Sequence, residues 1–169
     1  MTTSDLAKLE SMIQRIEDER AIERIVASYG PLVDAGEATA TAELWSPDGR
    51  YDVEDWTMSG RSDIEAMVNS QEHQGLIARG CTHLLGPAVV TVRGDDAVAV
   101  CESVLLVKHG VTYYVARAGV NHFALQRSAR GWEIVQRTTR RLDGTSFPRA
   151  LLSRGVEGLP VQQSEQDPP

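Results

Sequence analysis

The stretch RGDDAVAVCESVLLVKHG, residues 93–110, decides the fold. Arg93-Gly94-Asp95-Asp96 is a tight-turn signature, and His109-Gly110 is another. Between them residues 97–108 read as one long strand rich in valine and leucine. Tight turns at both ends require antiparallel neighbours. Working outward, residues 82–92 form the preceding strand, irregular at Gly86-Pro87 because proline cannot donate to a central ladder. Residues 111–127 form the following strand. Past the turn at 128–131, residues 132–142 form the last. Four strands in this order make an antiparallel meander.

The first half is helical. Leu6, Leu9, Met12, Ile13 and Ile16, then Ile22, Ile25, Val26 and Tyr29, recur at three- and four-residue spacing over residues 5–29. The polar run at Glu17–Glu19 suggests a break, and Gly30-Pro31 an interruption or kink. Asp34-Ala35-Gly36-Glu37 looks like a helix end. A short helix follows over 38–44 and ends at Trp45. Ser46-Pro47-Asp48-Gly49 carries turn residues, with two short strands after it, residues 50–53 and 56–58, as a hairpin. Ser62 and Glu65 have capping-box spacing for a further helix that runs, with a break, to Ala78. Helices first and strands after define an α+β class. The expected architecture is a cone-shaped α+β roll: about three N-terminal helices packed into a strongly curved, mostly antiparallel sheet.

The chain has 169 residues, 41% of them hydrophobic and 24% charged, with a formal net charge of -7. The length suits a single domain, expected over residues 1–146. Residues 147–169 form a C-terminal extension. Residues 147–154 could pack on a partner, and the polar, proline-containing tail after about 155 is expected to be disordered. The acidic balance disfavours nucleic-acid binding. No leader-like or membrane-spanning run is present, so a cytoplasmic location with no membrane contact is expected. Two cysteines, Cys81 and Cys101, make no disulfide framework. The four histidines are scattered, and neither metal nor cofactor is expected. Residues 98–107 are apolar on both parities, so both sheet faces need cover, and a homo-oligomer, dimer or trimer, is expected.

One short stretch carries chemistry. In Gly80-Cys81-Thr82-His83-Leu84-Leu85, strand alternation puts Cys81, His83 and Leu85 on one face, a pocket wall with an imidazole in it. A neutral histidine is the usual general base near neutrality, and a carboxylate on its second nitrogen fixes its tautomer. A half-buried histidine with one good hydrogen bond is the plain alternative. Tyr29 and Tyr51 could offer phenols to a substrate oxygen or serve as core aromatics. Arg137 alternates with Thr139 and Arg141 on the last strand. On a concave face it would hold developing negative charge; on a convex one it would be solvated or paired. Cys81 reads as a small pocket-wall hydrophobe.

A helix with a tyrosine and an aspartate, a short helix ending in Leu44-Trp45, then Asp48-Gly49 and a strand resembles the SnoaL-like group of nuclear-transport-factor-like cone folds. Cys81-Thr82-His83, Gly94-Asp95 and Trp132-Glu133-Ile134 with Arg137 extend the likeness over roughly residues 10–145. The layout is similar to that of scytalone dehydratase, polyketide cyclases and hexachlorocyclohexane dehydrochlorinase. The resemblance implies an Asp34–His83 pair in which the histidine removes a proton and the aspartate orients it. It implies a site role for Arg137 and pocket positions for Tyr29, Tyr51 and Cys81. The adjacent Tyr-Asp pair of the dehydratase is absent here, and His109 and His122 are both possible, unaligned counterparts of its second histidine. The function so implied is a cofactor-free lyase or isomerase acting on a small apolar, polyketide- or steroid-like molecule. The alternative is a non-catalytic binding or assembly module on the same fold.

Overall fold

The computed structural model of the chain describes residues 2–161. Helix α1 spans Thr3–Ala35, followed by α2 (Ala38–Ala42), strands β1 (Trp45–Val53) and β2 (Trp56–Ser59), and helices α3 (Gly60–Val68) and α4 (Gln71–Arg79). The remainder is β3 (Cys81–Leu85), β4 (Val89–Arg93), β5 (Asp96–His109), β6 (Thr112–Ser128), β7 (Gly131–Arg141) and α5 (Ser146–Val156). One sheet runs in the order β2-β1-β7-β6-β5-β3, with β4 also on β5. The chain enters this sheet at one edge, crosses through α3 and α4 to the other, and returns by the expected meander. Every pairing is antiparallel except β1 with β7.

Helix α1 is continuous through both expected interruptions. At its start, Thr2 and Asp5 form a reciprocal capping box. The polar run near residue 18 is an anchor and not a break. Asp18 is buried and accepts from both terminal nitrogens of Arg127 (2.8 and 2.6 Å) and from Trp132 Nε1 (3.1 Å). Pro31 sits near the end of the helix on its exposed side, where its fixed φ is already helical and only one backbone donor is lost. Gly36, at φ 74°, ends the helix. The stripe Leu6, Leu9, Met12, Ile13 and Ile16 stays about half exposed. Burial begins at Asp18 and continues through Ile22, Val26, Tyr29 and Val33.

Other local expectations give way to tertiary demand. Ser46-Pro47-Asp48-Gly49 lies inside β1: the pairing with β7 jumps from Trp45↔Ile134 to Arg50↔Gln136, so the turn residues form a bulge that keeps the parallel ladder in register. Helix α3 takes Ser59, not Ser62, as its N-cap residue, and the Ser59 N–H donates to the Asp63 carboxylate at 3.0 Å. The expected single strand at 82–92 is two, β3 and β4, both on β5, with the Gly86 N–H bridging to Glu102 O (2.8 Å) across the proline break.

The concave face packs against α1–α3 through Trp45, Phe123, Leu125 and Ile134. On the convex face Leu151 of α5 packs against Val100 and Val120. The second apolar parity of β5 is therefore covered in part by the chain itself, and residues 147–154 lie on their own sheet. The segment after α5 is held as well: Arg93 donates to Gly158 O, and the His122 ring meets Leu159 O at 2.8 Å. Of the extension expected from about 155, residues up to 161 are described and held in this way, and the tail from 162 onward lies outside the described residues. No helix among the described residues is long and apolar enough to cross a membrane.

Candidate active site

Gly30 brings two elements together. A Cβ there would overlap the His83 carbonyl oxygen, so only glycine lets the last turns of α1 lie directly on β3. One turn further, the Asp34 carboxylate meets three donors of β3. The His83 N–H donates to Oδ2 at 2.7 Å, the His83 Nδ1–H to Oδ1 at 2.6 Å, and the Cys81 thiol to Oδ1 at 3.5 Å. With Nδ1 donating, Nε2 carries the free lone pair. Side chains of the pair are mostly buried, His83 11% and Asp34 18% exposed.

The electrostatics follow from this grip. Burial raises the Asp34 pKa, but the side-chain and backbone hydrogen bonds from His83 outweigh it and hold the carboxyl below its ordinary value. Burial and the Asp34 charge push the Cys81 thiol up to about 11, so it stays protonated near neutrality. Asp34, Cys81 and His83 are a possible ligand cluster, with one potential ligand atom of each mutually within 4.8 Å. As it stands the cluster is closed on itself by the 2.6 Å Nδ1–Oδ1 hydrogen bond.

Deeper in the cone, Arg137 lies on the concave face, 2% exposed. Its guanidinium carbon stands 3.8 Å from the Tyr29 ring centre, 4.5 Å from Tyr51 and 5.2 Å from Phe123. Its Nε and Nη2 donate to Asn121 Oδ1 at 3.2 and 2.7 Å, and the Thr139 hydroxyl donates to the same oxygen at 2.8 Å. Its Nη1 is buried with no partner. Burial raises the pKa of both phenols. For Tyr29 it prevails; for Tyr51 the Arg137 charge and a Thr139 hydrogen bond overcome it, and the net direction is down. Tyr29 links the two groups, its ring edge-on to His83 at 6.3 Å.

All six residues singled out from the sequence thus fall in one region, Asp34, His83 and Cys81 at one end and Tyr29, Tyr51 and Arg137 behind them. A largely apolar pocket inside the cone, with Tyr29, Asp34, Tyr51, His83 and Arg137 among its walls, was expected; Tyr29, Tyr51 and Arg137 pack against one another, 2–4% exposed. Beside His83, the side chains of Leu85, Ser103, Leu105 and Arg117 are only half-buried. His109 is exposed, and His122 lies on the convex face, so neither joins the dyad. His73 of α4 does. Its ring stacks on His83, with centroids 5.8 Å apart, and its Nε2 donates to Val33 O at 2.9 Å. Sequence reasoning missed it, because a histidine on a short amphipathic helix gives no sign of what it faces. Asn121 was missed too, although a lone amide within the apolar run of β6 was a usable signal.

Comparison with known proteins agrees with the cone fold. A family profile described as SnoaL-like domain matches residues 14–138. An NTF2-like protein with a cystatin-like fold from Novosphingobium aromaticivorans is 41% identical, over 89% of this chain and 99% of that one, with a TM-score of 0.87. A protein of unknown function from Mycobacterium tuberculosis is 19% identical over 96% and 98%, TM-score 0.66. A scytalone dehydratase-like protein from N. aromaticivorans is 16% identical over 77% and 87%, TM-score 0.63. The last two likenesses concern the fold alone. No curated protein matches the chain.

Proposed function

The chain belongs to the SnoaL-like family, and from that premise we propose that it is a lyase or isomerase, dehydratase- or cyclase-like, whose proton chemistry is carried by its own side chains. The observation that carries this reading is the doubled grip of Asp34 on His83, through the ring at 2.6 Å and the backbone at 2.7 Å. It fixes the Nδ1–H tautomer and the ring plane, leaving Nε2 as base. His83 Nε2 takes a proton from a carbon beside a carbonyl or leaving group. The imidazolium so formed is stabilised by the Asp34 charge, and the buried Arg137 charge supports the electron-rich end of the substrate from behind Tyr29 and Tyr51. The substrate is a small, largely apolar ring compound entering beside His83, and the protein works as a homo-oligomer.

The test is proton exchange at the α-carbon of cyclic ketones in D2O, screened by NMR and followed by turnover of the best compound. Asp34→Asn should keep the fold and lower the rate by about 10²–10⁴, and His83→Ala at least as much. The double variant should lose far less than the product of the two, because the residues act as a unit. Wild-type rates in both single variants would refute the assignment. A second reading, a binding module without catalysis, draws on the close packing of Tyr29, Tyr51 and Arg137, and that same outcome would favour it.

A further inference from the structure

The concave face carries more positive charge than the dyad uses. His83, Leu105 and Arg117 lie side by side across β3, β5 and β6, so the three side chains share the concave face. Arg117 is half-buried and has no acidic partner among the described residues. Deeper in, Arg137 is bound only to a neutral amide and to aromatic faces, with Nη1 buried and unpartnered. Three acids on or beside the sheet are engaged elsewhere, Asp52 with Arg140, Glu133 with Arg61 and Glu54 with Arg141, and Glu102 of β5 is exposed. Among the described residues, Asp34 is the one carboxylate hydrogen-bonded to side chains of this region, and its oxygens are taken by His83 and Cys81. Two guanidiniums against one carboxylate leave a net charge of +1 with His83 neutral. A buried, incompletely paired cation is costly unless something anionic completes it.

We propose that the half-buried concave surface formed by His83, Leu105 and Arg117 takes a ring compound that already carries one anionic group, a carboxylate or an acidic enol or phenol, with Arg117 as its direct counter-ion and Arg137 supplying the field from behind. The inference rests on the site described under Proposed function and narrows its substrate class from apolar to amphiphilic: rings over Leu85 and Leu105, the anion toward Arg117. The phenols register the same surplus, since both arginines act to lower Tyr29 and Tyr51 against their burial.

Calorimetric titration of the full chain with benzoate, 2-naphthoate and cyclohexanecarboxylate, each beside its neutral amide, tests this at low ionic strength. At least one acid should bind about tenfold or more tighter than its amide. Arg117→Gln should remove most of that preference, weakening the acid about tenfold or more and the amide by much less. The preference should also weaken with added salt. If no acid outbinds its amide, or if Arg117→Gln weakens acid and amide alike, the proposal is overturned. Its fate is separable from that of the dyad. An acid preference with turnover unaffected by Asp34→Asn and His83→Ala would leave an anion-binding module. No preference with turnover lost in those variants would leave the proton-transfer site and remove its anionic substrate.

Discussion

Gly30→Ala should destabilise this protein and loosen its dyad. In an ordinary helix the change stabilises by about 1 kcal/mol. Here the new methyl overlaps the His83 carbonyl oxygen, with the His83 carbonyl carbon at 3.3 Å and its Cβ at 3.8 Å. Both are fixed atoms of a paired strand, so α1 and β3 must separate by roughly 1 Å to reach normal contact. Overpacking of this kind costs about 1–3 kcal/mol, and after the helix gain a net loss of about 1–2 kcal/mol remains. The larger effect falls on the dyad one turn away. A bond of 2.6 Å between His83 Nδ1 and Asp34 Oδ1 stretched by roughly 1 Å no longer holds the ring, and misplacement on that scale costs on the order of 10² in rate. Urea unfolding reads the first effect. The low-field imidazole N–H resonance of His83 and α-proton exchange read the second. A variant as stable as the wild type that keeps this resonance would refute the argument that Gly30 sets the helix–strand distance.

The Asp18 clamp makes stability depend on acid. Hydrogen bonds from Arg127 lower its pKa from 3.8 to about 2 against the opposing effect of burial. A depressed carboxylate stabilises above its unfolded value and loses that contribution as pH falls through the folded one. Wild-type urea midpoints should therefore fall between pH 3.8 and about 2. Asp18→Asn, less stable by about 2 kcal/mol at neutral pH, should show a flatter profile there. Parallel profiles would contradict the clamp. The Cys81 thiol, pushed up to about 11, should alkylate with iodoacetamide more slowly than a free thiol at mildly alkaline pH. Asp34→Asn should speed it several-fold by removing the neighbouring charge; an unchanged rate would show that burial alone protects it. The exposed stripe Leu6, Leu9, Ile13 and Ile16 has the three-four-three spacing of a helix–helix seam. Light scattering at micromolar concentration should accordingly give more than a monomer mass, reduced by Leu9→Glu with Ile13→Glu, and a monomeric wild type would refute self-association.

What was legible in the sequence and what was not divides by the range of the forces involved. Alternation and turn chemistry are local, so the meander from β5 to β7 could be read within a residue or two. Asp34 and His83 were legible singly, one at a helix end and the other on a strand face, but their union depends on Gly30, whose role appears only when a strand 53 residues later lies against it. Pro31 and Ser46-Pro47-Asp48-Gly49 misled for a related reason. Their local preferences are real, but a helix continuing on its exposed side satisfies the first and a bulge in a parallel ladder the second. Asp18 looked like a break because its partners, Arg127 and Trp132, come from strands more than a hundred residues on. His73 had no legible signal, since its stacking on His83 requires the turn between α3 and α4 to aim a nine-residue helix at the end of α1. The strongest side-chain constraints in this protein are polar contacts between distant segments: Asp34 with His83, Asp18 with Arg127, Arg137 with Asn121. Each replaces water around a buried charge and is therefore demanding of geometry. Hydrophobic pattern brings the layers together without fixing their distance to a tenth of an ångström. These contacts, and the glycine that permits one of them, do so, and the candidate site is built where the requirement is tightest.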